Sequence, residues 1–510
     1  MKAKYMLLLF LILLASSKIT LATIYFVSPT GNDNNPGTQN SPWLTISKAC
    51  SASVVNPGDY ISVEGGSSIV YKEGGIVFSR SGTAQAPITM INTLYPSVTV
   101  DSSYFNFASH EINHWRIFGF DIKNGDSDRG GVRVGSGSGN LEFSRCSIHY
   151  HKCNGFYLAS GSDNIEIYDC DIHHNGEWDG SQTGGGEGTG IALYGDDPPT
   201  LIVERSKIHE NWHKGIAHTG GNFDGGYHSL IDSCWIINNY QSGIDFQADS
   251  SVISYNWIAH NGVRDDEVDY SKDPPVPEYG DKGLGLGGDA DADTVHHNVI
   301  CSSGQMEIYS AGNSNCYFNN TVIKDHYYTI YTDPDSQTGE CVVMYNSPAQ
   351  DFHKFKNNIF VNYCRWPNLH MGVYTGSQTV YSNQDWDYNI YWSPNASAPS
   401  NANRPFRFAG TGFLTLTEVQ DSTNDEDHSY YVDPVFTSYA DSNFISQSVY
   451  VLNQGVNVGL PFSGNAPERG AYEIDDDGDC VMCPPRRLDH AGAVPGLTIE
   501  DPWCVLRREK

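Results

Sequence analysis

CSIHYHKCNGFYLASGSDNIEIYDCDIHHNG, residues 146–176, states one short phrase twice. Each copy has a Cys, an apolar anchor two residues later (Ile148, Ile172), a His directly after the anchor, and a closing Asn-Gly. Reading outward, the phrase recurs in looser form as FDIKNG, SKIHENWHKG, CWIINNYQSG, NWIAHNG, NVICSSG, NTVIKDH and NIFVNY. The anchors are then Ile122, Ile148, Ile172, Ile208, Ile236, Ile258, Ile300, Val322 and Phe360, at intervals of 22 to 42 residues. A fixed short period with occasional longer steps marks a stacked solenoid, whose units bury a core only against their neighbours. The units are rich in Val, Ile, Tyr, Phe and Gly, alternate with period two, and lack helical periodicity, so they are strands. The fold class is all-β, a parallel β-helix.

Side chains two apart in a strand share a face, so the position two before each anchor also points inward. It reads Phe120, Cys146, Cys170, Ser206 and Cys234, then Asn256, Asn298, Asn320 and Asn358. Of the 12 Cys residues, those three are expected as small buried thiols rather than disulfides. The Asn run is expected as a polar ladder serving turn backbone groups. Three residues after the anchors, Asn175, Asn211, Asn239 and Asn261 make a second ladder. The expectation is that Asn stands there because it tolerates left-handed backbone angles.

Residues 1–22 read as a signal peptide: Lys2 and Lys4 precede the apolar run MLLLFLILLA, and small residues lead to Ala22. The remainder is expected outside the cytoplasm, secreted, periplasmic or at the cell surface, with no membrane span once the signal is cleaved, and as a monomer. Residues 23–60 read as an N-terminal cap, 61–474 as the β-helix domain, and 475–510 as an appended acidic tail holding Cys480 and Cys483. There a local disulfide or unpaired thiols are expected before a zinc site, which lacks partners. The net charge of −30 repels nucleic acid and anionic membranes at long range, so no nucleic-acid partner is expected. It would also repel a polyanionic polysaccharide unless Ca²⁺ bridged the two.

The run IYFVSPTGNDNNPGTQNSPWLTISKA (24–49) and the closing DPVF (433–436) and NAPERGAYE (465–473) resemble the opening and closing segments of many bacterial secreted right-handed β-helix proteins. Family 9 pectate lyases and several glycoside hydrolase families are among them. The resemblance spans about residues 23–474 and implies a right-handed coil with a short helical cap. It implies action on extracellular polysaccharide less specifically, because one fold hosts many chemistries. Family 9 pectate lyases carry their catalytic lysine in a strand resembling G-x-G-F-K-L-G-G, and here Gly285 of DKGLGLGGD holds that position. Of their calcium-binding stretch D-D-G-W-D-L, QSGIDFQ keeps only the final Asp, as Asp245. The fold resemblance stands and the pectate lyase mechanism does not transfer.

Two of the longer steps are insertions, at 176–189 and 263–281, and both follow the second Asn corner. They leave the same edge of the solenoid on rungs three steps apart, roughly 15 Å at about 4.8 Å per strand. Long loops on a rigid scaffold are where function concentrates. Between them lie GIALY (190–194), GIAHT (215–219), GIDFQ (243–247) and GLGLG (283–287). Alternation sends His218 inward as a core histidine and Asp245 outward, beside Ala192 and Ala217, which leave room for a ligand. Asp245 is the leading catalytic candidate, with Glu187, Asp197 and Asp266 as partners, since glycoside hydrolysis needs two carboxylates. Trp178, Tyr194 and Tyr279 are candidates to stack on sugar rings, and His213 and Lys214 to contact substrate. Lys214 and Lys282 are nearby cations able to replace the missing lysine. Asp289, Asp291 and Asp293 are the candidate Ca²⁺ ligands. His149, His173 and His209 are read as an outer-face ladder, not a metal site, because metal ligands must converge. The expected function is cleavage of an extracellular polysaccharide, by carboxylate-based hydrolysis or Ca²⁺-dependent β-elimination. The alternative is a non-catalytic carbohydrate-binding or surface β-helix.

Overall fold

The computed structural model describes residues 22–485 except 93–96, 177–187, 220–227, 248, 263–281, 289, 305, 326–327, 330–336, 345–351, 364–365, 374–384, 395–405, 408–412, 424 and 476–478. The expected signal peptide therefore lies outside the described residues. No described helix is long and apolar enough to cross a membrane.

The chain winds through three parallel sheets in turn, a parallel β-helix. Sheet I runs from Ile24–Val27 to Asp385–Asp387, sheet II from Val70–Tyr71 to Tyr430–Tyr431, and sheet III begins at Gly74–Val77; the described strands number 13, 13 and 12. In sheet II the anchors stack in register, Ile122 on Ile148, then Ile172, Ile208, Ile236, Ile258, Ile300, Val322 and Phe360. None is more than 1% exposed. A fully buried side chain of this size contributes about 1.5–3 kcal/mol, so the column holds the coils together. Cys146, Cys170 and Cys234 are buried free thiols, and Cys146 N–H donates to Cys170 Sγ at 3.4 Å.

The second Asn ladder forms as expected but for a different reason. Asn175 Nδ2 donates to Asn211 Oδ1 at 3.0 Å, Asn211 to Asn239 at 3.0 Å, and Asn239 to Asn261 at 2.9 Å. The left-handed residue at each of these corners is the one before the Asn: His174, Glu210, Asn238 and His260, at φ 51–56°. The Asn is there because its amide joins one coil to the next inside a dry corner, where an unpaired amide would be expensive.

At the N-terminal end, Ile24–Val27 pairs with Tyr60–Val63. The helix Ile46–Ser51 buries Ile46, Ala49 and Cys50. Its start is fixed by Thr45, whose Oγ1 accepts from Lys48 N–H, and by Glu73, whose carboxylate accepts from Ile46 and Ser47 N–H at 2.8 Å each. Near the other end, Glu473–Ile474 and Cys480–Met482 form an antiparallel hairpin across the boundary read at residue 475. Cys480 and Cys483 are disulfide-bonded, and both pack against the cluster of Trp257, Val299 and Phe444 on the outside of sheet II.

Candidate active site

Sheet III carries an outward column running Tyr157, Ala192, Ala217, Asp245, Gly285 and Tyr309, one residue per coil in unbroken register. The inward positions beside it are Leu193, His218, Phe246 and Leu286, all buried. His218 stacks on Phe246 with ring centroids 4.4 Å apart, and burial lowers its pKa to about 3. Asp245 therefore faces outward, as alternation requires.

Two lysines bracket it. Lys214 stands three residues before the column position on the coil above, and Lys282 three before it on the coil below. Lys214 Nζ donates to Asp245 Oδ2 at 2.6 Å, and Lys282 Nζ lies 3.1 Å from Oδ1. Burial raises the Asp245 pKa, but the two ammonium groups outweigh it and hold the carboxyl below its usual range. A carboxylate so held is ionised and does not serve as a general acid.

The column is not an open trough at these coils. Ala192 and Ala217 have no exposed surface, and the Asp245 side chain is 16% exposed. The reason at Gly285 is explicit: a Cβ there would meet Lys282 Cε at 2.4 Å and Nζ at 3.0 Å. The space left by the missing side chain is filled by Lys282 as it reaches Asp245. Lys282 Nζ also sits over the Tyr309 ring, 4.8 Å from its centroid. Sequence reading had both lysines nearby, but their convergence on one carboxylate depends on reach between coils, which spacing along the chain does not show.

His213 lies beside the bracket. Its Nδ1 pairs with Thr189 Oγ1 at 3.2 Å, and burial, then Lys214, lower its pKa to about 4, leaving a neutral imidazole. Tyr194 stacks on Tyr157 at 4.5 Å and its hydroxyl accepts from Asn154 Nδ2 at 3.2 Å. Both expected substrate contacts thus border the column.

Asp197 is elsewhere. It sits in the turn after Ile191–Tyr194, where its backbone caps Ser160 and Gly161, so it does not oppose Asp245. Glu187, Asp266, Trp178, Tyr279 and Asp289 lie outside the described residues. The insertions that hold the first four leave the same corner, between sheets II and III. The first departs and returns through Gly176 and Gly188, at φ +97° and +92°, where a Cβ on Gly176 would meet Gly188 Cα at 2.4 Å.

The expected Ca²⁺ ligands Asp291 and Asp293 point to different tasks. Asp291 Oδ1 accepts from Asn313 N–H at 2.6 Å. Asp293 is fully buried and stands in a corner ladder, its Oδ1 accepting from Ser251 N–H at 2.7 Å. Burial, with Asp249 and Asp291 adding, pushes its carboxyl up to about 8, so it is neutral at pH 7. Among the described residues, the group that brings three ligand atoms within 4.8 Å of one another is Asp171, His173 and His209. His149, His173 and His209 do stack one per coil, as the sequence suggests, and Asp171 stands beside the last two.

With this geometry in view, the chain can be set beside known proteins. Residues 25–242 match the Pel9A-like, right-handed β-helix region. The Pel9A-like region contains Lys214, and the same sheet register continues past its end to Asp245 and Lys282. The solenoid is right-handed, as the family description states. Similar solved structures include pectate lyase Pel9A, 19% identical with TM-score 0.48, the match covering 90% of this chain and 98% of that one. A GH136 lacto-N-biosidase from Eubacterium ramulus is 13% identical with TM-score 0.47, covering 77% and 68%. A rhamnogalacturonan lyase is 14% identical with TM-score 0.40, covering 82% and 92%. No curated protein sequence matches the chain.

Proposed function

We propose that this chain is an exported enzyme that cleaves a uronate-containing polysaccharide by β-elimination at the Lys214–Asp245–Lys282 bracket. The observation that carries the reading is the bracket itself: two ammonium groups on one ionised carboxylate, on the outward face of the sheet, between the origins of two long insertions. One net positive charge remains there, in a chain whose formal charge is −30. Such a site attracts an anionic sugar locally while the rest of the surface repels it.

In this reading the uronate carboxylate pairs with the bracket, which makes the adjacent C5 proton more acidic. Lys282, the looser partner at 3.1 Å, passes its ammonium proton to solvent once the uronate is paired with the bracket, and takes the C5 proton as the free amine. The electron pair becomes the C4=C5 double bond, the C4–O bond breaks, and the departing oxygen is protonated from solvent. Asp245 and Lys214 hold the lysine and the sugar in place. Hydrolysis would need a second carboxylate facing Asp245, and no described residue supplies one. Calcium has no step in the reaction.

The test is turnover of a panel of uronate glycans, following ultraviolet absorbance of the unsaturated product. Activity that persists in EGTA and is lost in Lys282→Ala and Asp245→Asn is the expected result. Reducing ends without absorbance would replace elimination with hydrolysis. Retention of glycan without any product would make the protein a binding module.

A further inference from the structure

We propose that Asp171, His173 and His209, on the outer face of sheet II, form a binding site for one transition-metal ion of the zinc class. The three ligand atoms come from two neighbouring strands, Asp171–His173 and Lys207–His209, paired in register with His173 beside His209. Residues two apart on one strand share a face, so Asp171 and His173 reach the same side, and His209 joins them from the next coil. The three atoms lie within 4.8 Å of one another, and His209 Nε2 already sits 2.8 Å from Asp171 Oδ1.

The rings are close enough to share an ion once the His173 ring turns out of its stack. His173 is stacked between His149 and His209, with centroid distances of 4.6 and 4.8 Å and interplanar angles of 15° and 17°. The other nitrogen of His209 pairs with Glu210 Oε2 at 2.6 Å. A carboxylate behind a ligating imidazole fixes the ring and strengthens it as a donor. Two imidazoles and a carboxylate suit Zn²⁺, Co²⁺ or Ni²⁺, and do not suit Ca²⁺ or Mg²⁺, which take mainly oxygen. Lys207, opposite Asp171 in the register, opposes the bound charge, and Glu210 offsets it. With the Asp171 side chain 44% exposed, water can complete the coordination. The site lies on a different sheet from Asp245, so it is independent of the proposed reaction. An ion there would tie two adjacent coils together.

The experiment is titration of the untagged full chain with Zn²⁺, alongside Co²⁺ absorption and thermal melting. One tight Zn²⁺ per chain, a visible Co²⁺ band of low coordination number and a raised melting midpoint are expected, with Ca²⁺ at equal concentration producing none of these. His173→Gln should abolish the stoichiometric site, and Glu210→Gln should weaken it about 10- to 100-fold. Wild-type protein that gives no stoichiometric Zn²⁺ binding and no Co²⁺ band overturns the proposal. So does a binding curve that His173→Gln leaves unchanged.

Discussion

Replacing Gly285 by Ala isolates the packing that shapes the bracket. The added Cβ would stand 2.4 Å from Lys282 Cε, 2.7 Å from Cδ and 3.0 Å from Nζ. The obstacle is the far end of a flexible side chain, so Lys282 moves and the strand does not. Its pairing with Asp245 at 3.1 Å is then lost, a charge-assisted bond worth about 1.5–3 kcal/mol. Its position over Tyr309 is lost as well, worth about 0.5–2 kcal/mol. Exchanging Gly for Ala within a strand returns about 0.5–1 kcal/mol. The expected net destabilisation is about 2 kcal/mol, and Lys214 still neutralises Asp245. In a Lys282→Ala background nothing obstructs the methyl, so the same change should be neutral or slightly stabilising. Urea denaturation of the four variants forms a double-mutant cycle, with an expected coupling of about 2–3 kcal/mol. Effects that add to within about 0.5 kcal/mol would show that Lys282 does not fill the space over Gly285.

Two further predictions concern the corners. Burial raises the Asp293 carboxyl to about 8, above its unfolded value, so folding takes up a proton and stability declines as pH rises from about 4 to 8. Asp293→Asn should remove that decline and gain more at pH 8 than at pH 5; identical pH slopes for the two proteins in denaturant titrations would refute it. Asn298→Ala deletes the bonds to Asn320 Oδ1 and Ile253 O and strips Asn256 of the acceptor for its N–H and Nδ2. With buried groups left unpaired at about 1–3 kcal/mol each, a loss of about 3 kcal/mol is expected; a loss below about 1 kcal/mol by calorimetry would mean that the ladder is ornamental.

The coil was legible because its physics is periodic. A residue such as Ile208 must meet Ile172 and Ile236 whatever the loops do, and alternation then sends Cys234 inward and Asp245 outward. What spacing does not encode is how far a long side chain travels between coils. Lys214 and Lys282 are 68 residues apart, and they meet because Asp245 lies on the coil between them. The Asn corners were placed correctly but explained wrongly, since the backbone strain belongs to Glu210 and His260 while the Asn side chains carry the bonding. The Asp171–His173–His209 group did have a signal. D-I-H on one unit and K-I-H on the next put an acid and two imidazoles at adjoining same-face positions. Histidines stacked one per coil do not converge by themselves, and it is the Asp two residues away that closes the set.

The first Asn ladder has a direction. From Asn256 through Asn298, Asn320 and Asn358 to Asn389, each Nδ2 donates to the next Oδ1 at 3.0–3.1 Å. The five amide dipoles point the same way over about 19 Å, four strand spacings of about 4.8 Å. Aligned dipoles sum, as they do in an α-helix, to a partial positive charge at the donating end. That end meets Glu426, to whose Oε2 Asn389 Nδ2 donates at 3.2 Å. Glu426 is fully buried, and its pKa stands at about 7 because burial outweighs its hydrogen bonds. One inner corner of the tube is therefore electrically polar from Asn256 to Glu426, and a break near Asn256 should register as a change in the acidity of a carboxyl five coils away.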